Sequence, residues 1–102
     1  MTDDPDVIVR GKTETRLARP KLHKVILWND DFTPREFVTV VLKCVFGMGP
    51  EKAHVVMMTA HRRGACVVAV FTKEVAETKS SQANDYGKEA GFPLRFTTEP
   101  EE

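Results

Sequence analysis

The four residues Thr33-Pro34-Arg35-Glu36 constrain this chain most. A hydroxyl residue, then a proline, then a glutamate three positions after the hydroxyl make a helix start signal. Thr33 suits N-cap, Pro34 suits N1 where its missing donor costs nothing, and Glu36 at N3 can reach back to complete a capping box. Phe37, Val38, Val41, Leu42 and Val45 then recur at helical spacing and form a buried face. Ahead of the signal, His23 to Trp28 is a short, apolar, β-favouring run. A strand therefore feeds through a short loop directly into a helix.

The remaining elements follow in quick succession. Gly47 and Gly49-Pro50 end the first helix and start a second, from Pro50 to about Arg63, with Ala53, Val56, Met57, Ala60 and His61 on one side. Gly64 stops it. Cys66 to Phe71 is almost continuously apolar, as expected of a central strand buried on both faces. Thr72 can cap a third helix in which Val75, Lys79, Ala83, Tyr86 and Ala90 share a stripe, and Gly91 ends that helix. Pro93 to Thr98 alternates, with Leu94 and Phe96 on one face and Arg95 and Thr97 on the other, which suits a final edge strand. The order β-α-α-β-α-β predicts a small α+β domain, a three-stranded antiparallel sheet with its helices packed on one face.

Residues 1–19 read differently from this domain of residues 20–102. Asp3, Asp4, Asp6 and Glu14 alternate with Arg10, Lys12, Arg16 and Arg19 around only short apolar pieces. Such a segment cannot offset its own ordering entropy and is expected to be a flexible extension, closed by Arg19-Pro20. Across the chain 15 Lys and Arg balance 15 Asp and Glu, so no global field attracts nucleic acid or an anionic membrane. No apolar stretch is long enough to span a bilayer and no secretory pattern opens the sequence. Cys44 and Cys66 belong to no CxxC or catalytic signature and read as small apolar residues of a reducing cytoplasm.

Chemistry concentrates at Asn29-Asp30-Asp31, three acceptor side chains between a strand end and a helix start. The same residues also make a plain Asx-rich turn, and spacing alone leaves the two readings level. His61 falls on the inner stripe of the second helix, where a core histidine and a cleft histidine look alike. No Cys/His set has zinc-ligand spacing, and no phosphate loop or activated nucleophile is present, so the expectation is a protein without catalytic residues, metal or cofactor. A binding role uses these residues better. A peptide's α-amino group is a cation with pKa about 8 and three donors, and it wants Asn and Asp acceptors converging from a fixed loop. The side chain beside that amine would need an apolar pocket, which Val38, Met57, Ala60 and Leu94 can line.

The run Lys24-Val25-Ile26-Leu27-Trp28-Asn29-Asp30-Asp31-Phe32-Thr33-Pro34, followed by Glu36-Phe37-Val38, closely resembles the opening motif of bacterial ClpS proteins. His61, Gly64 and Val70 to Lys79 resemble their second and third motifs, and the likeness covers about residues 20 to 98. It implies an adaptor of the bacterial N-degron pathway, monomeric, that binds N-degron peptides and proteins and docks on the N-terminal domain of a ClpA-type AAA+ unfoldase. In that family the positions matching Asn29, Asp30 and His61 hold the substrate's α-amino group. Those matching Thr33, Arg35, Val38, Met57, Ala60 and Leu94 form the side-chain pocket, with Asp31 supporting the loop. Glu74 and Lys79 match the unfoldase-facing positions, and the stripe containing Lys79 leaves open whether only its stem is buried. Two residues depart from the family: Arg35 stands where methionine is frequent, and Trp28 where a smaller aliphatic is common. Arg35 is expected at the pocket rim with its guanidinium reaching water or Asp31, and Trp28 is expected to pack rather than recognise. The reading from another class is a structural or interaction module without recognition of a peptide end, similar in architecture to a ribosomal stalk domain.

Overall fold

The computed structural model describes residues 20–101; the expected extension over residues 1–19 lies outside them. The element order is the expected one: β1 (Leu22–Trp28), α1 (Arg35–Phe46), α2 (Pro50–Arg63), β2 (Ala65–Thr72), α3 (Lys73–Ala90) and β3 (Arg95–Pro100). The strands form one antiparallel sheet in the order β2-β1-β3. Its helix-facing side meets Val38, Val41, Leu42 and Val45 of α1 and Ala53, Val56, Met57 and Ala60 of α2 in a single core.

The central strand is β1, and the apolar β2 is an edge. Its continuous apolar run has another cause. The β1–β2 register slips between Val25, opposite Ala69, and Ile26, opposite Val67, so Val68 is an extra residue. Such a bulge switches which side chains face the core. Cys66 and Val68 point inward before it, Ala69 and Phe71 after it, and Val67 and Val70 remain outward and half exposed. On that open face Trp28 donates its indole N–H to Thr97 Oγ1 at 2.7 Å, and the Arg95 guanidinium lies 5.4 Å from the ring. Trp28 thus packs along β3, the strand that carries Ile26's partner Thr97.

The buried stripe of α3 is Ala76, Ser80, Ala83 and Gly87, offset from the expected Val75–Tyr86 line. Val75 and Tyr86 are exposed instead. Small residues win the inner face because they let the helix axis approach the sheet, which outweighs burying two larger side chains. Asn84 from the same helix fastens β3: its Nδ2 donates to the Phe96 carbonyl at 3.0 Å, and its Oδ1 accepts from the Phe96 amide at 2.7 Å. One side chain thereby satisfies backbone groups that an edge strand would leave open.

Candidate functional site

The loop between β1 and α1 is held at both ends. At its start the Asn29 amide donates to the Gly64 carbonyl at 3.0 Å. Gly64 closes α2 with φ 92°, a left-handed conformation that glycine adopts without a Cβ clash, and its own amide bonds the Ala60 carbonyl at 2.8 Å. The end of α2 and the start of the loop therefore share one residue as an anchor.

Further along, Asp30 organises the loop. Its Oδ1 accepts from the Phe32 amide at 2.8 Å and the Thr33 amide at 2.7 Å, and its Oδ2 accepts from Thr33 Oγ1 at 2.8 Å. The expected capping box does not form: Pro34 takes the N-cap position with extended geometry, α1 begins at Arg35, and no side chain caps it. Thr33 lies one residue ahead of that cap, buried, with its hydroxyl donating to the Asp30 carboxylate.

Between this loop and α2 lies a pocket of about 160 Å³. Leu27, Val38, Met57 and Ala60 give it an apolar wall, and Asn29, Asp30, Asp31, Thr33, Arg35 and His61 give it a polar rim. Val38, Met57 and Ala60 are buried, while Asn29, Asp31, Arg35 and His61 are exposed at the mouth. Nine of the expected residues thus meet in one cleft. Trp28 also lines it, although the sequence marked Leu27 only as strand and Trp28 as a packing residue. The signal was present, because the last residues of a strand leading into a binding loop border whatever that loop binds.

Leu94 is the expected pocket residue that does not arrive. It does not line the pocket and is buried in the core against Gly87 of α3, one residue before Arg95, which pairs with Trp28 at the end of β1. The Arg35 side chain also departs from expectation. Its Nη2 lies 3.0 Å from His61 Nε2, so the guanidinium reaches across the mouth to α2 and not to Asp31.

Glu74 and Lys79 lie on α3, outside the pocket lining. Glu74 is exposed in the first turn of the helix. Lys79 is half-buried, and its amine donates to the Val45 carbonyl in the last turn of α1 at 3.0 Å, 5.9 Å from the centre of the Phe71 ring. Its stem and its head are therefore both used inside the domain. Behind the site, burial raises the Cys66 thiol above its ordinary value, with the nearby Arg63 charge acting in the opposite direction. That fits an apolar role at the start of β2. Among the described residues no three His, Cys, Asp or Glu side chains gather as a metal site, and no helix is long and apolar enough to cross a membrane.

A loop of acceptors above an apolar cleft, on an α+β scaffold with helices on one sheet face, defines a small ligand-binding domain, and comparison with known proteins is specific about which. The sequence model of the family described as "ATP-dependent Clp protease adaptor protein ClpS" matches residues 18–97. The chain belongs to the ClpS family, whose members are adaptors of the Clp protease and not enzymes. It is 64% identical over 93 residues to the ATP-dependent Clp protease adapter protein ClpS 1 of Bradyrhizobium diazoefficiens, covering 91% of this chain and 92% of that protein. It is 60% identical to ClpS 2 of Agrobacterium fabrum over the full length of both. Among solved structures, that of Agrobacterium tumefaciens ClpS2 bound to L-phenylalaninamide superposes with a TM-score of 0.81 at 66% identity, covering 81% of this chain and all of the other.

Proposed function

We propose that the pocket receives the free α-amino group and the first, bulky hydrophobic side chain of an N-degron substrate (Phe, Tyr, Trp or Leu), and that the protein delivers this substrate in the cytoplasm to the ClpA unfoldase of a ClpAP-type protease. The observation that carries the reading is the pocket's division into two chemistries within one small volume. A cavity of about 150 Å³ with apolar walls is enough to take a benzene-sized ring, and the pocket measures about 160 Å³. Its rim offers the acceptors an ammonium group needs, from Asn29, Asp30 and His61. L-phenylalaninamide, the ligand of the Agrobacterium tumefaciens relative, has this shape: a free amine, a benzyl side chain and no carboxylate to meet the acidic rim.

Delivery involves other surfaces. Glu74 offers an exposed carboxylate on the start of α3, the part of the domain that would face the N-terminal domain of the unfoldase. Residues 1–19, outside the described residues, are proposed to be needed for handing the substrate to the unfoldase. The test compares a peptide beginning with free Phe against the same peptide N-acetylated. The free peptide binds and competes with degradation of a Phe-starting substrate by ClpAP, and the acetylated one does neither. Equal binding of the two would leave an interaction module without recognition of a peptide end.

A further inference from the structure

The contact between Arg35 and His61 fixes what His61 can do. A guanidinium is only a donor and stays charged at any ordinary pH, so at 3.0 Å the Nε2 of His61 has to be the acceptor. A neutral imidazole has one acceptor nitrogen. With Nε2 accepting, the ring proton sits on Nδ1, and both nitrogens are committed: one to Arg35, the other as a donor. A substrate ammonium group is itself only a donor, so in this arrangement His61 has nothing to offer it, whichever nitrogen the amine approaches.

We infer that Arg35 competes with the substrate's α-amino group for the single lone pair of His61, so that peptide binding requires Arg35 to release the histidine. The inference rests on the amine-binding role proposed above and adds to it a gate built from this chain's own side chains. Both residues are exposed at the mouth and belong to different elements, Arg35 to the first turn of α1 and His61 to the last turn of α2. The bond therefore closes the cleft from one wall to the other without being locked in the core. The affinity observed for a ligand falls by the fraction of molecules in which its partner is free. Arg35 thus raises the threshold for binding: every amine ligand has to displace it and loses the same factor in affinity, while the ratio between two ligands is unchanged.

The probe is L-phenylalaninamide, with N-acetyl-L-phenylalaninamide as the control, measured on the full chain. Arg35→Met is expected to raise affinity for phenylalaninamide about three- to tenfold, the span of one ordinary hydrogen bond. In a His61→Ala background the same substitution is expected to change nothing. A simple charge repulsion between Arg35 and the ammonium would raise affinity equally in both backgrounds, and that result overturns the inference. Imidazole 15N shifts give an independent readout: in the free wild type the proton is expected on Nδ1 with Nε2 unprotonated, and it is expected to stay there when phenylalaninamide binds, because the amine takes over the same lone pair. A free wild-type ring that carries its proton on Nε2 overturns the inference. If the acetylated control binds as well as phenylalaninamide, the amine reading itself fails. If the control is rejected but Arg35→Met leaves affinity unchanged, only the gate fails.

Discussion

Gly87 packs against Leu94 so closely that a β-carbon on the glycine would stand 2.8 Å from Leu94 Cβ and 3.4 Å from the Phe92 carbonyl. This contact sets how near α3 lies to the segment entering β3, and the Phe92 amide returns a hydrogen bond to the Gly87 carbonyl at 2.8 Å. The atom in the way sits at the root of the leucine side chain and cannot swing aside. Gly87→Ala should therefore destabilise the fold. Overpacking costs of about 1–3 kcal/mol exceed the gain of about 1 kcal/mol that alanine brings to a helix interior. Denaturant unfolding should show a net loss near 1 kcal/mol, with phenylalaninamide affinity unchanged in the folded protein because the pocket lies elsewhere.

Asp30 organises the loop and, in the proposed function, also partners the substrate amine, and two substitutions separate these roles. Asp30→Ala removes all three of the bonds to Phe32 and Thr33 as well as the charge. Asp30→Asn retains a carbonyl oxygen for the two amides, removes the charge, and puts an N–H donor where Oδ2 accepted, to which the Thr33 hydroxyl can turn a lone pair. Both should lower peptide affinity by roughly tenfold or more, as expected when a charged partner is lost. Only the alanine variant should also lose stability, by about 1–3 kcal/mol, because it strips partners from the buried Thr33. Calorimetric binding and thermal unfolding of the pair check this, and normal binding by Asp30→Asn would remove the carboxylate from the amine site.

Lys79 and Glu74 occupy matching roles in the family resemblance but unlike environments in the fold. Lys79→Met leaves the Val45 carbonyl without its donor, so stability should fall by about 1 kcal/mol. Glu74→Lys reverses an exposed charge in the first turn of α3 and should cost the fold less than about 1 kcal/mol. The unfoldase N-terminal domain should bind the Glu74→Lys protein distinctly more weakly and the Lys79→Met protein only slightly so. Surface-bound titrations of the two variants beside their melting curves distinguish these outcomes.

Removing residues 1–17 should separate recognition from delivery. The pocket is complete within residues 27–61, so affinity for a Phe-starting peptide should stay within twofold, roughly the scatter of surface changes. Degradation of a Phe-starting substrate by ClpAP should stop or slow severely. A truncated protein that delivers at the normal rate would show that residues 1–17 take no part in delivery.

Much of the site was legible because it is local. Asn29, Asp30, Asp31 and Thr33 lie within five residues at a strand-to-helix junction, and turn chemistry, start signals and periodicity all mark such junctions. Met57, Ala60 and His61 were legible as one helix stripe. What was misread involves choices between partners. Thr33 had two possible partners, Asp30 or its own helix, and sequence alone assigned it to the helix. Leu94 alternates with Phe96 as expected and is buried, but alternation does not say whether an inward residue also borders the pocket.

The order of elements, their ends at Gly47, Gly64 and Gly91, and the position of the acceptor loop were determined by the sequence itself, since each depends on backbone preferences spanning a few neighbouring residues. Three things were decided only in three dimensions. β1 became the central strand and β2 an edge, because a bulge at Val68 and not double-sided burial accounts for the apolar run. The inner face of α3 went to Ala76, Ser80, Ala83 and Gly87, because closeness to the sheet outweighed side-chain size. And Arg35 found His61, 26 positions away, because Gly64 ties the end of α2 to the loop that starts α1. Contacts of that separation depend on how whole elements pack, and no short-range pattern encodes them.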